Sequence, residues 1–496
     1  MIEPISPFSD PLALWLSAWL LFPFLAAFLA ALRADLGKGL ILLSCLGTAA
    51  VAGGCLPGDR ATELSLLGEL GVSLLVDRLA GWFLLLNALL FAAVVLEGWD
   101  RPQFQARPML LLVLQGGLSV SFVATDLISW YVTLELVGVA AFLLVVLPQR
   151  DATLWVSLRY LLVSNTAMNL YLIGAGLIYV QQESFRLSAL DGLPFGAPQV
   201  FLLIGLFTKA GVFVAGLWLP RTHSEAPAEI SALLSGVVVT GGVVPLLRLA
   251  ATDAVLFSAI RWVGMASAVL GVVYALNTGD AKRLLAWSTL SQMGLVVLSP
   301  LSGGAMALGH GLAKGALFLS ARQFPTRDLK EWRSQALTAV PLAVVWLASL
   351  SIAGLPPLAG FAAKKQLDGA LPGSWSSMVM LVSVGTVAVY ARLWTVELER
   401  KPLPPRQAEP LLPRLLAFGL LLLPLGVGAE LIAPTGSLAP TLLSTGLVFG
   451  AGLLLHRLLQ PLRPLPLPML ERLDQLLGGA VMLGAGLLAA FTGGFA

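Results

Sequence analysis

Five ionisable side chains lie inside or beside long apolar stretches of this sequence. Glu135 lies within WYVTLELVG and Lys209 within FTKAGVF, His310 and Lys314 lie within HGLAKGALFL, and Lys364 follows LPPLAGFAA. A charge at this depth in a membrane is costly and usually faces the interior of a helix bundle or a water-filled cavity. A buried lysine gives up its proton readily, because burial disfavours the charged form. These residue types in this setting predict a proton relay.

The alternative is that the buried charges only lock helices together by pairing. A Glu135–Lys209 pair alone would fit that interpretation. However, three of the five residues are lysines in three different apolar segments, and like charges do not neutralise one another. His310 and Lys314 are four residues apart and therefore share one face of a helix. The set favours transport over a purely structural role.

The elements that position these residues follow from composition. Of 496 residues, 57% are hydrophobic and 11% are charged, whereas a soluble domain carries about 25% charged residues. Mean hydropathy is +0.88. Apolar runs of about 18 residues or more, each long enough to cross a bilayer, recur from end to end. The sequence predicts a multi-pass, all-α membrane protein with about 14–16 transmembrane helices.

Sixteen apolar segments account for this prediction. They cover residues 12–32, 38–56, 78–97, 108–124, 127–147, 157–180, 199–219, 228–250, 255–276, 283–300, 304–323, 337–363, 375–395, 411–432, 437–457 and 475–494. Basic residues concentrate in the loops that follow odd-numbered segments. The positive-inside rule therefore places those loops in the cytoplasm and both termini on the non-cytoplasmic side. We expect a bacterial cytoplasmic membrane or an equivalent energy-transducing membrane.

Two segments carry helix breaks beside a lysine. Pro220 ends the segment of Lys209, and Pro356 with Pro357 interrupts the segment that precedes Lys364. Transporters place ion sites at such breaks, often in two internally repeated halves. The two segments are five apart, and an odd offset predicts two inverted five-helix repeats, each with a broken helix. The predicted organisation is N-terminal helices in 1–107, repeats in 108–250 and 251–396, and C-terminal helices in 397–496.

These motifs carry a family likeness. The stretches WYVTLELVG, TKAGVFVAGLWLPRTHSEAPAEISALLSG, GDAKRLLAWSTLSQMGLVVL, HGLAKGALFL and SLSIAGLPPLAGFAAK occur in this order between roughly residues 108 and 390. Together they resemble the antiporter-like membrane subunits of respiratory complex I and of Mrp-type cation/proton antiporters. Within this family, the lysine at position 364 favours a resemblance to the D-type Mrp subunit.

The resemblance implies a role for each residue of the row. Glu135 looks like the glutamate of the fifth helix, which pairs with the lysine of a broken helix, here Lys209. His310 and Lys314 are similar to the histidine and lysine of the eleventh helix. Lys364 occupies the position of the terminal charged residue on the second broken helix. Opening the glutamate–lysine pair would pass a proton along the row.

Two positions depart from the family pattern, and three others are open to a second interpretation. Where many relatives carry a lysine on helix eight, this chain has Thr240, and where many carry a histidine it has Gln292. Neither side chain titrates near neutrality, so either ordered water bridges the middle of the relay or conduction is altered. Arg248 would compensate for the lost charge or, as we prefer, snorkel to the interface. His223 and Glu225 would shape the pore or form a surface hydrogen-bonded pair.

Several other residues have structural interpretations. Asp126 precedes the fifth segment, where it would cap the helix. Trp130 and Trp218 are expected at the membrane–water interface. Cys45 and Cys55 have no metal-ligand spacing and are expected to be small buried residues.

We expect no cofactor, metal or nucleic acid, and no catalytic redox site in this chain. The expected partners are other membrane subunits of a hetero-oligomeric complex, the lipid bilayer, protons and, as an open alternative, Na+. Three other functions stay open at this point. They are a subunit of a redox-driven NAD(P)H or ferredoxin:quinone oxidoreductase pump, a subunit that itself binds quinone or a redox cofactor, and a structural scaffold with a degenerate relay.

Overall fold

The computed structural model describes residues 11–58, 61–65, 72–100, 107–399, 411–432, 438–460, 465, 467–468 and 470–492. The helices are α1 (Pro11–Leu32), α2 (Gly37–Cys55), α3 (Arg78–Glu97), α4 (Pro108–Val123), α5 (Leu127–Val146), α6 (Asp151–Gln182), α7 (Ala197–Ala210), α8 (Leu219–Glu225), α9 (Ala228–Leu233), α10 (Thr240–Thr252), α11 (Ala254–Asn277), α12 (Ala281–Val296), α13 (Pro300–Ser320), α14 (Ala339–Ala353), α15 (Ala359–Ala370), α16 (Gly373–Ala391), α17 (Leu411–Ile432), α18 (Leu438–Leu459) and α19 (Leu473–Phe491).

The all-α membrane class expected from the sequence is confirmed. Each of the sixteen apolar segments coincides with one helix or with a helix that is broken into shorter pieces. Among the described residues, nine helices are long and apolar enough to cross a membrane, or ten if the bent unit around residue 211 counts as one span. The inverted relation of the two five-helix units, and the domain limits drawn from it, stay predictions.

Aspartates begin several of these helices. Asp126 accepts a hydrogen bond from the Ser129 backbone N–H, 2.7 Å away, and so caps α5 as the sequence predicted. Asp77, Asp253 and Asp280 cap α3, α11 and α12 in the same way. Such a carboxylate satisfies backbone donors that the first helical turn leaves free. The caps fix where the apolar spans start.

One helical segment runs through the centre of the bundle. It consists of α9, a π-helical turn (Leu234–Val238) and α10. Every residue of its most apolar stretch is buried by protein rather than left for lipid. A π-helical turn is rare and often marks a functional position. The segment contacts both α7 and α13, the helices that carry Lys209 and Lys314.

The sequence did not predict strands, and the described part of the chain contains four short ones in the connections. Strands β1 (Thr62–Ser65) and β2 (Ser73–Val76) pair antiparallel, with Thr62 opposite Val76. Strands β3 (Ala336–Leu337) and β4 (Glu397–Leu398) pair parallel. These strands are too short for hydropathy windows to resolve, and they pair the ends of loops rather than cross the bundle.

The interface position expected for Trp130 and Trp218 is wrong. Their exposed fractions are 0% and 2%, so protein encloses both rings. The apolar body of an indole fits a protein interior as well as a membrane interface. By contrast, the burial expected for Cys45 and Cys55 is confirmed, and both are free thiols.

Candidate functional site

The first component of the site is an ion pair between α5 and α7. Lys209 lies in the last turn of α7, which ends at Gly211 with φ +66°. Its ammonium nitrogen is 3.1 Å from Oε1 of Glu135 and also donates to the Leu134 carbonyl at 2.9 Å. Lys209 is buried and the Glu135 side chain is 23% exposed. The structure thus brings together the two residues that the resemblance pairs.

Two neighbours of this pair were missed by sequence reasoning. Gly138 lies three residues after Glu135, and a Cβ at Gly138 would lie only 2.7 Å from the Lys209 ammonium. When the oxygen and nitrogen of the Asn165 side-chain amide are exchanged, which satisfies the hydrogen bonding of both atoms, the amide nitrogen donates to Oε2 of Glu135 at 3.2 Å. Glycine therefore makes room for the ammonium, and an amide holds the second carboxylate oxygen. The i+3 spacing of Gly138 from Glu135 was the only available signal for either residue.

The break after Lys209 is braced by an aromatic side chain. The Trp218 indole donates to the Thr208 carbonyl at 2.9 Å and its ring lies 4.7 Å from that of Tyr160. A Cβ at Gly216 would lie 2.2 Å from the Gly211 carbonyl carbon, so only glycine fits there. The broken helix is thus held in a defined bend of 43° rather than hinged loosely.

The second component is Lys314 with His310 on α13. Lys314 is fully buried, donates to the Leu285 carbonyl at 2.5 Å, and lies 5.5 Å from the centre of the Tyr390 ring. His310 is 4% exposed, and neither of its ring nitrogens has a hydrogen-bond partner among the residues that the structure describes. A buried ring nitrogen without a partner is costly. Water or a transferred proton would relieve that cost.

The third component is Lys364, in the second half of the second broken helix. The α14 half ends at Ala353 and is capped by Gly354, where φ is +93°, and α15 begins at Ala359. The Lys364 ammonium donates to the carbonyl of Ala353, the last residue of α14, at 3.2 Å. Across the described ranges, no carboxylate lies within ion-pair distance of Lys314 or Lys364. Both ammonium groups therefore face backbone carbonyls instead.

Close glycine contacts bring the three lysine-bearing helices together in one order. A Cβ at Gly242 of α10 would lie 2.8 Å from the Lys209 carbonyl carbon. A Cβ at Gly311 of α13 would lie 2.6 Å from the Gly236 carbonyl of the central segment. A Cβ at Gly309, on the same helix, would lie 3.7 Å from the Cα of Gly360 in α15. The backbones therefore approach closely in the order α7, α10, α13, α15.

The accessory candidates on the central segment and on α12 are buried and polar. Thr240 is fully buried and its hydroxyl donates to the Val237 carbonyl at 2.6 Å. Gln292 is 2% exposed, and its amide nitrogen is without a partner within the described ranges. The hydroxyl of Ser235 in the π-helical turn lies 2.6 Å from the hydroxyl of Thr289 in α12. These elements therefore bury hydroxyl and amide groups in the interior of the bundle.

Arg248 does not snorkel, contrary to the preferred expectation. Its guanidinium binds both carboxylate oxygens of Asp77 at 3.1 Å and also donates to the Leu75 carbonyl. Arg248 is 7% exposed. Because a planar guanidinium matches a carboxylate in a bidentate way, this pair ties the end of α10 to the start of α3.

His223 is interior, so the surface-pair interpretation of His223 and Glu225 is wrong. His223 is fully buried and its ring stacks on Phe318 of α13 at 5.0 Å. Glu225 accepts from the Ser224 hydroxyl at 3.3 Å rather than from His223. The histidine thus joins α8 to the helix that carries Lys314.

No group of three or more His, Cys, Asp or Glu residues in the described part of the chain could hold a metal ion. The candidate site therefore consists of one carboxylate, three lysines and a histidine, held on broken and continuous helices at the centre of a membrane bundle. Groups of these types exchange protons with one another and with water.

This fold and this set of buried charges define an antiporter-like membrane subunit. The family model described as "NADH:quinone oxidoreductase/Mrp antiporter, TM" matches residues 124–388. The chain belongs to this family, as the resemblance in its motifs indicated.

Individual relatives lie in two kinds of complex. NADH-quinone oxidoreductase subunit N of Desulforudis audaxviator is 29% identical over 358 residues, which cover 64% of this chain and 71% of that protein. The D-type Na(+)/H(+) antiporter subunit of Bacillus subtilis is 26% identical over 470 residues, covering 84% and 94%. A chain of the Mrp complex from Dietzia sp. DQ12-45-1b has the same fold, with a TM-score of 0.73 at 23% identity, over 96% of this chain and 60% of that one.

Proposed function

We propose that this chain conducts protons through the membrane as an antiporter-like subunit of a larger complex. The path consists of Glu135, Lys209, His310, Lys314 and Lys364. The observation that carries the proposal is the succession of three lysines, Lys209 and Lys314 buried and Lys364 part-buried, on helices whose backbones approach closely in one order. A scaffold would not need three ammonium groups of which two lack a carboxylate partner among the described residues.

The ion pair supplies the switching element of this mechanism. At an effective dielectric of about 20, two unit charges ~4 Å apart attract by ~4 kcal/mol. Separating Glu135 from Lys209 forfeits that attraction, so the lysine proton is released toward α10 and α13. Recombination of the pair draws a new proton to Lys209. The pair thus converts a small displacement of a side chain into proton movement.

The middle of the path depends on groups that do not titrate. Thr240 replaces the lysine of many relatives, and its hydroxyl together with the Gln292 amide would hold water between Lys209 and Lys314. His310 adds a titratable ring whose nitrogens are free to exchange protons with that water. The ring of His223 stacks on Phe318 of α13. His223 and Glu225 lie at the end of the first broken helix and shape the approach to the proton path.

The complex around the chain is inferred from the names of its relatives. Both curated relatives described above are subunits, one of an NADH-quinone oxidoreductase and one of a Na(+)/H(+) antiporter. Exchange of protons for Na+ is the more specific candidate, because the antiporter subunit aligns over 84% of this chain. In the other candidate, a redox module on partner chains drives the same path. The distribution of basic residues among the loops supports an orientation with both termini on the non-cytoplasmic side.

A flux measurement with a matched control tests this function. The full chain, in its native complex, is reconstituted into liposomes that contain a pH-sensitive dye, with and without a Na+ gradient. Lys209→Ala should reduce proton uptake to the level of protein-free liposomes, while the complex stays assembled. The control is Lys330→Ala, because Lys330 lies exposed in a loop. Normal uptake by assembled Lys209→Ala would refute proton conduction through this residue.

A further inference from the structure

Three arginines surround one buried glutamate where the chain enters α19. Glu471 lies two residues before α19 and is 3% exposed. Its carboxylate contacts the guanidinium of Arg283 and lies 3.7 Å from that of Arg221. Arg159 of α6 donates to the main-chain carbonyl of Glu471. The cluster joins α6, α8, α12 and α19 at a single point.

This arginine cluster (Arg159, Arg221 and Arg283) carries two more positive charges than Glu471 can balance. The nearby Asp474 pairs instead with Arg472 at the surface. Arg159 is 4% exposed, and its Nε and Nη2 have no partner among the described residues; neither has Nε of Arg283. Buried guanidinium donors without acceptors are costly, so the site calls for a further anion.

The cluster is open to such an anion from outside. The side chains of Arg221 and Arg283 are 45% and 35% exposed, although both touch Glu471. A guanidinium presents a planar fork that fits two oxygens of a phosphate at once. Two partly exposed forks beside a buried, under-satisfied one are suited to a phosphate group.

An apolar groove begins one helical turn away from Arg159. Val163, four residues further along α6, lines it together with Ala167 and Leu170, and the opposite wall is formed by Leu477 and Val481 of α19. The groove runs between α6, α7 and α19, away from the arginines. A basic cluster at one end of a hydrocarbon-lined groove has the layout of a phospholipid, with a charged head and an acyl chain.

We propose that an anionic phospholipid binds here, with its phosphodiester on the arginine cluster and one acyl chain in the groove. The positive-inside orientation puts the cluster at the cytoplasmic surface, where anionic lipids are concentrated. Charge complementarity and the apolar continuation of the site select this ligand over a free anion.

The bound lipid would stabilise α19 against the broken helix. Thr208, which directly precedes Lys209, also lines the groove. The acyl chain therefore contacts the unit that carries the ion pair without touching the pair itself. This site is separate from the proton path and does not require that path to conduct.

Native mass spectrometry of the purified full-length protein tests the site by direct binding. Phosphatidylglycerol and phosphatidylcholine are each added to the detergent-solubilised protein. Because a basic residue near anionic lipid contributes about a fivefold gain in affinity, Arg221→Gln should weaken phosphatidylglycerol binding about fivefold and the double variant with Arg283→Gln still more. Phosphatidylcholine binding should stay unchanged. Arg33→Gln is the matched control, since Arg33 is exposed and pairs with Asp35.

A second variant separates the groove from the charges. Ala480 also lines the groove, so Ala480→Phe should block the acyl chain and weaken phosphatidylglycerol binding while all three arginines remain. Inorganic phosphate should compete only weakly. Equal binding of both lipids, or no loss in either arginine variant at unchanged melting temperature, would overturn the proposal. So would strong phosphate binding that Ala480→Phe leaves intact, because the site would then hold a soluble anion.

Discussion

The two broken helices of this protein each hold a lysine ammonium group inside the bundle, but the ammonium groups have different partners. Each break occurs at a glycine in the left-handed region, Gly211 with φ +66° and Gly354 with φ +93°, and each places a lysine beside it. At the first break, Lys209 faces the carboxylate of Glu135 at 3.1 Å. At the second, Lys364 has no carboxylate partner among the described residues and donates to the Ala353 carbonyl, at the C-terminal end of α14.

The difference lies in the kind of negative charge that meets each ammonium group. A carboxylate at ~4 Å is worth ~4 kcal/mol at a dielectric of about 20. The C-terminal end of a helix dipole is worth about 0.3–1 kcal/mol. The first lysine is therefore held by a formal charge that can move with its side chain, and the second by a fixed dipole. This contrast makes the first break the natural switch and the second a terminus of the path.

The largest expected effect comes from splitting the Glu135–Lys209 pair. Breaking a buried pair on one side leaves an uncompensated charge and destabilises by about 3–5 kcal/mol. Glu135→Gln and Lys209→Met should each show such a loss in denaturant unfolding of the purified protein. The double variant removes both charges of this pair, so it should be more stable than either single variant. Simple addition of the two losses would show that the residues do not interact.

The next effect concerns the glycine at the second break. Gly354→Ala forces a side chain into the left-handed region, at about 1–2 kcal/mol. A Cβ there would also lie 3.2 Å from Cδ of Lys364. Proton flux should fall because the lysine must move. Gly58→Ala is the matched control, since φ at Gly58 is +105° but no described residue has an atom within 4 Å of the new Cβ. Equal flux in the two variants would mean that the position of Lys364 is unimportant.

A smaller effect is expected at Gly138, beside the first lysine. The new methyl of Gly138→Ala would lie 2.7 Å from the Lys209 ammonium, which must swing away from α5. Alanine also gains about 1 kcal/mol of helix propensity, so the net change in stability should stay within about 1 kcal/mol. Flux should nonetheless drop. Gly176→Ala in α6 has open space around it and should leave flux unchanged. Normal flux in Gly138→Ala would argue against a role for pair geometry.

The smallest effect on stability is expected for Lys364→Met. Lys364 is part-buried and has no carboxylate partner among the described residues, so an apolar chain of similar length removes a partly desolvated charge without breaking an ion pair. We therefore expect a change below about 1 kcal/mol in the free energy of unfolding, together with a complete loss of flux. A loss of stability as large as that of Lys209→Met would erase the contrast between the two breaks.

The membrane segments could be predicted from the sequence because their signal is local. An apolar run long enough to span a bilayer is visible in one window, and Asp126 was identified as a cap from its position before such a run. The relay residues stood out for the same reason, since a charge inside an apolar run is conspicuous.

The pairing of Glu135 with Lys209 followed from the family resemblance, but the other long-range partners could not be predicted, because they come from distant parts of the chain. Arg248 and Asp77 are 171 residues apart, and Arg159 and Glu471 are 312 apart. Trp130 and Trp218 were misplaced because hydropathy does not distinguish an apolar environment made of lipid from one made of protein. Gly138 has no functional side chain, and its importance comes from the Lys209 ammonium that packs against it.

The central claim is that the lysines lie in series on one path. It is tested by proton flux in liposomes for Lys209→Ala, Lys364→Ala and the double variant, each normalised to assembled protein. If the lysines are in series, each single variant abolishes flux and the double variant adds nothing. Partial flux in both single variants, with a further loss in the double, would show two parallel routes and contradict a single conducting row.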